Sequence, residues 1–137
     1  MIIVLINWRV LPEKVPSFVE FWSTTLKLDN APGLISELLS KAEGPEFFGK
    51  ITWQLEPSDQ EKDRSFWKSD SYVSFVNVGI WETLEDFDRA VGKFMNADPK
   101  AMNEYEAAPR RRAVVSPAAW RMGSSKLPDS SSPGVTA

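Results

Sequence analysis

Residues 72 to 82 read Tyr-Val-Ser-Phe-Val-Asn-Val-Gly-Ile-Trp-Glu, and no other stretch of the chain predicts a β-strand so clearly. Its β-branched and aromatic residues suit a pleated surface, and alternation sets Phe75, Asn77, Gly79 and Trp81 on one face. Thr83 follows as a helix cap, with Glu85 and Asp86 in the first turn, where carboxylates meet the positive end of the helix dipole. The predicted helix carries Leu84, Phe87, Val91 and Phe94 along one side.

Working back toward the N-terminus, residues 43 to 71 predict an irregular insertion, with a short strand at 50 to 55. Residues 34 to 42, Leu-Ile-Ser-Glu-Leu-Leu-Ser-Lys-Ala, read as a strand, with a short helix as the alternative. Asn30-Ala31-Pro32-Gly33 is a turn. Val15, Phe18, Val19, Trp22 and Leu26 recur at spacings of three and four, which predicts a helix over 13 to 28, with Pro16 tolerated in its first turn. Residues 2 to 11, Ile-Ile-Val-Leu-Ile-Asn-Trp-Arg-Val-Leu, predict a first strand stopped by Pro12. Both of its alternating faces are apolar, so helices on one side of a sheet leave the other side in need of cover.

Toward the C-terminus, Asp98-Pro99 reads as a cap and first-turn proline of another helix, holding Met102 and Tyr105 and closed by Pro109. A last strand is expected over 111 to 122, where Pro117 argues for an edge or a bulge. From 123 to 137 the chain turns to Ser, Pro and Gly without apolar period, the composition of a disordered tail. The order is βαββαβ with an extra helix, an α+β ferredoxin-like arrangement with an antiparallel sheet in one domain over 1 to 122.

Composition narrows the chemistry. The 137 residues contain no Cys and no His, which removes disulfides, thiolate nucleophiles, Cys-ligated metals and the usual haem ligand. A net charge of −3 offers no case for nucleic acid or an anionic membrane, and the short run Arg110 to Arg112 reads as a solvated strand entry. The apolar start, Ile2 to Ile6, is too short for a signal peptide or a membrane span, so the expected location is cytoplasmic.

The run Val76-Asn77-Val78-Gly79-Ile80-Trp81-Glu82-Thr83 with Phe87, together with Asn7 on the first strand, resembles the antibiotic biosynthesis monooxygenase-like family of the dimeric α+β barrel (ferredoxin-like) superfamily. The resemblance spans roughly residues 1 to 122. It implies a homodimer in which two sheets pack face to face, which would cover the second face of the first strand. It further implies a pocket lined by an Asn and a Trp four residues later, matched here by Asn77 and Trp81, that oxidises polyketide-like phenols without metal or flavin. Relatives that degrade haem use an Asn on the first strand, matched by Asn7, but also a His, which this chain lacks. Quinol-oxidising relatives place a Tyr six residues after the Trp, where this chain has Phe87.

If the face of Ile3, Leu5, Asn7 and Arg9 coincides with that of Asn77, two amides meet in one apolar chamber. The ordinary account of each is a bond to nearby backbone. On the ligand-site account Asn7, Asn77 and Trp81 are the catalytic candidates, with Arg9, Phe75, Gly79, Phe87 and Tyr105 around the substrate. Glu37 reads as a solvated edge carboxylate, with a desolvated acid or base as the other account. The expected function is cofactor-independent oxidation of a small aromatic or polyketide-like phenol or hydroquinone by dioxygen. Alternatives are a non-redox polyketide cyclase or isomerase, and a dimeric small-molecule-binding protein without catalysis.

Overall fold

The computed structural model describes residues 1 to 26, 28 to 42, 62 to 98 and 100 to 126. Four antiparallel strands, β1 (Ile2–Val10), β2 (Leu34–Lys41), β3 (Val73–Trp81) and β4 (Glu106–Val115), lie in the order β2-β3-β1-β4. Among the described residues, two helices, α1 (Val15–Thr24) and α2 (Leu84–Ala97), lie between strands. This is the ferredoxin-like α+β fold that the sequence predicts. The predicted strand at 50 to 55, most of the insertion and the tail beyond 126 lie outside the described residues.

Register settles which residues share a face. Ile6 stands opposite Asn77, Trp8 opposite Phe75 and Val4 opposite Gly79. Opposed residues in an antiparallel pair point the same way. The even positions of β1 and the odd positions of β3 therefore form one buried face, on which Phe18, Leu26 and Phe87 pack with Trp8, Phe75 and Trp81. Phe18 is the hub, with Trp8, Phe75 and Tyr105 at ring-centroid distances of 5.2, 5.4 and 5.8 Å. Within the predicted stripes Val19 and Leu84 prove to be exposed.

The other face, called here the far face, carries Ile3, Leu5, Val76, Val78 and Ile80, with Leu38 of β2 opposite Val78 and Ala113 of β4 opposite Leu5. No described helix packs on these residues. At the Arg9 end it is covered by Trp67, which follows a short 3-10 turn (Arg64–Phe66) and stacks 4.6 Å from the Arg9 guanidinium.

Thr83 caps α2 as expected, its Oγ1 accepting from the Asp86 N–H at 3.1 Å. Gly33 is required in the turn before β2. Its φ is +86°, and a Cβ there would overlap the Asp86 carboxylate.

The C-terminal third departs from expectation. Residues 100 to 105 form turns rather than a helix, closed by bonds such as Asn103 N–H to Lys100 and Tyr105 N–H to Met102 carbonyls, both 3.1 Å. These turns still bury Met102 and Tyr105. The last strand begins at Glu106, not 111, and runs through Pro109. A proline has no N–H to give a ladder, and the register of β4 against β1 slips between Asn7 and Arg9, a bulge on an edge strand that accommodates it. Arg9 stabilises the irregularity by donating to the Pro109 carbonyl. Pro117 lies beyond the strand.

Candidate active site

The middle of β3 places Asn77, Gly79 and Trp81 in a row on the helix-covered face, each less than a tenth exposed. β2 lies alongside, so Leu39 stands opposite Asn77 and Glu37 opposite Gly79. Glu37 and Asn77 are thus diagonal neighbours, and the Asn77 Nδ2 donates to Glu37 Oε2 at 3.3 Å.

Gly79 is what lets the group converge. A Cβ at that position would stand 2.9 Å from Trp81 Nε1 and 3.5 Å from Glu37 Oε2. The bare glycine backbone is therefore roofed on one side by the indole and on the other by the carboxylate. Phe87, from the second turn of α2, meets Trp81 edge-on at 5.7 Å and fixes the ring.

Two polar atoms in this group, Asn77 Oδ1 and Trp81 Nε1, are buried without a hydrogen-bond partner. Each such atom left unpaired costs on the order of 1–3 kcal/mol, part of which a polar group bonding to it would recover. Burial raises the Glu37 pKa above its ordinary value; the Asn77 bond pulls it back and Asp29 adds to the rise. A carboxylate raised in this way is a stronger proton acceptor than one in free solution. The arrangement can accept a hydroxyl hydrogen at Asn77 Oδ1, donate from Trp81 to a neighbouring oxygen, and take a proton at Glu37.

The expectation that Asn7 joins Asn77 in one chamber is not met. Ile6, not Asn7, opposes Asn77, so Asn7 points to the far face beside Val76 and Arg111. Its Nδ2 donates to the Phe75 carbonyl at 3.1 Å, the local backbone bond that was its ordinary account. Arg9 shares that far face, bound to Pro109 and stacked on Trp67. Phe75 and Tyr105 are on the site's side of the sheet but serve the aromatic core around Phe18. Burial and the neighbouring Glu104 raise the pKa of the Tyr105 phenol. Glu37, read from sequence as an edge carboxylate, belongs instead to the desolvated account. Its signal was present, since it is the one acidic residue inside the second apolar strand.

Among the described residues no cluster of three or more acidic side chains is placed to hold a metal ion. Nor is any described helix long and apolar enough to cross a membrane.

No family model matches the sequence, and no curated protein is similar to it at a significant level. Solved structures are similar to it. One is a monooxygenase from the ActVA-Orf6 gene of Streptomyces coelicolor in complex with nanaomycin D, with a TM-score of 0.51, 14% identity, and coverage of 90% of this chain and 92% of that one. Another is a variant of MhuD with two manganese protoporphyrin IX molecules per active site, with a TM-score of 0.50, 17% identity, and coverage of 88% and 99%. The fold is that of the antibiotic biosynthesis monooxygenase-like proteins. At these identities it is the antibiotic biosynthesis monooxygenase-like backbone that is shared, while the site chemistry must be argued from this chain's own residues.

Proposed function

We propose that this chain is a cofactor-independent oxygenase of a small aromatic or polyketide-like phenol or hydroquinone, acting at Glu37, Asn77 and Trp81. The observation that carries the reading is the pair of unpartnered buried atoms, Asn77 Oδ1 and Trp81 Nε1, beside a carboxylate whose pKa burial has raised. A phenol hydroxyl fits this set. It donates to the site and loses its proton to Glu37, and the resulting oxyanion accepts from the Trp81 N–H. The electron-rich anion passes one electron to dioxygen, the radical pair joins as a carbon-bound peroxide, and loss of water leaves a quinone. Phenol plus O2 becomes quinone plus water, with no external reductant.

The likeness in fold to a structure holding nanaomycin D supports a small-molecule substrate. The same reading pairs the chain with a second copy. The apolar far face of Leu5, Val76, Val78 and Leu38 is the surface such a copy would cover.

The raised pKa of Glu37 also fits a non-redox cyclase or isomerase, in which the proton leaves one carbon and returns to another. Oxygen separates the two. A panel of hydroquinones and anthrones is incubated with purified protein in an oxygen electrode and under nitrogen. Oxygen-dependent product formation, slowed about a hundredfold by Glu37→Gln and reduced by Asn77→Ala, is the expected result. Product formed equally well under nitrogen would transfer the chain to the isomerase class. No binding and no turnover across the panel would overturn both.

A further inference from the structure

A cleft lies along β4 beside the bulge at Pro109, and it shares no lining residue with the Glu37 site. It encloses about 510 Å³, within the range of small-molecule sites. Glu106, Ala108, Pro109, Arg110 and Arg112 of β4 line it together with Phe66, Lys68 and Asn103.

Three cations face one carboxylate here. Arg110 Nε lies 3.4 Å from Glu106 Oε2, and both side chains are largely buried. The Arg110 guanidinium also rests 4.8 Å from the Trp8 ring, so its orientation is set before any ligand arrives. Lys68 is tied by its Nζ to the Asn103 carbonyl and by its backbone N–H to Ala107 at 2.7 Å. An ammonium has three donors, which leaves Lys68 two more. Burial raises the Glu106 pKa, while Arg110, Arg112 and Lys68 each lower it, which places all three cations within electrostatic reach of one point. The surplus is two positive charges in a partly desolvated recess. Phe66, among the lining residues, is half exposed.

We infer that this cleft binds a small aromatic carboxylate, its ring against Phe66 and Pro109 and its carboxylate on Lys68 and Arg112. Glu106 competes with the guest for the same cations and so weakens the site.

The test is calorimetric titration of the purified full chain with naphthoate, naphthol and inorganic phosphate, with amide NMR shifts recorded at Lys68, Ala108 and Arg112. Saturable naphthoate binding that shifts these amides is expected, with naphthol and phosphate shifting the same amides at least tenfold more weakly. Arg112→Gln, a change at an exposed position, should weaken naphthoate about tenfold, the loss of one charge-assisted hydrogen bond. Glu106→Gln should tighten it. Asn77→Ala should leave it unchanged, which keeps this cleft distinguishable from the Glu37 site. Absence of saturable binding, equal affinity for phosphate, or indifference to Arg112→Gln would overturn the inference.

Discussion

Replacing Gly79 by Ala tests the geometry of the candidate site directly. The new Cβ would stand 2.9 Å from Trp81 Nε1, closer than such atoms approach, and 3.5 Å from Glu37 Oε2. Trp81 is fully buried and held edge-on by Phe87, so the indole cannot swing into solvent to relieve the contact. Overpacking of this kind costs about 1–3 kcal/mol. Alanine in a strand recovers about 0.5–1 kcal/mol of backbone entropy relative to glycine. The net expectation is a loss of about 1 kcal/mol, read by urea denaturation followed through tryptophan fluorescence. The cause can be isolated. In a Trp81→Phe background the clashing nitrogen is gone, and Gly79→Ala should become neutral or stabilising. The two changes should then couple by about 1–2 kcal/mol in a double-mutant cycle. A Gly79→Ala protein as stable as the parent, with coupling below about 0.5 kcal/mol, would refute the claim that Gly79 exists to seat the indole beside the carboxylate.

Three further outcomes follow from the same structure. Because burial raises the Glu37 pKa above 4.5, its favourable contribution to folding is present below about that pH and is lost as pH rises through the raised value. Glu37→Gln should therefore be more stable than the parent near pH 7 and lose that advantage as pH falls toward 4; denaturant midpoints at both pH values check it. Thr83→Ala removes the cap that accepts from Asp86 N–H and should cost about 1 kcal/mol, with Thr83→Ser recovering most of it in thermal melts. Val78→Lys, on the apolar far face, should turn a sedimenting dimer into a monomer, and a parent chain already monomeric at high concentration would contradict the proposed pairing.

Much of the antibiotic biosynthesis monooxygenase-like fold was legible locally. The alternation at 73 to 81, the Thr83 cap and the three-four spacing of Val15, Phe18 and Trp22 are written in adjacent residues, and the elements stand where these patterns put them. Pro109 misled for a physical reason. A proline after an apparent helix reads as its terminator, yet an edge strand tolerates it at a bulge, and only the slipped pairing with β1 reveals which applies.

The sequence by itself determined that Asn77, Gly79 and Trp81 share a face, because side chains in a strand alternate whatever the neighbours do. Tertiary structure alone decided what that face meets. Pairing Ile6 rather than Asn7 with Asn77 turned Asn7 away to the far side, and pairing Glu37 with Gly79 brought a carboxylate under the indole. Register between strands is a relation of distant segments, and a slip of one residue reverses every side chain, so no local pattern could have contained it.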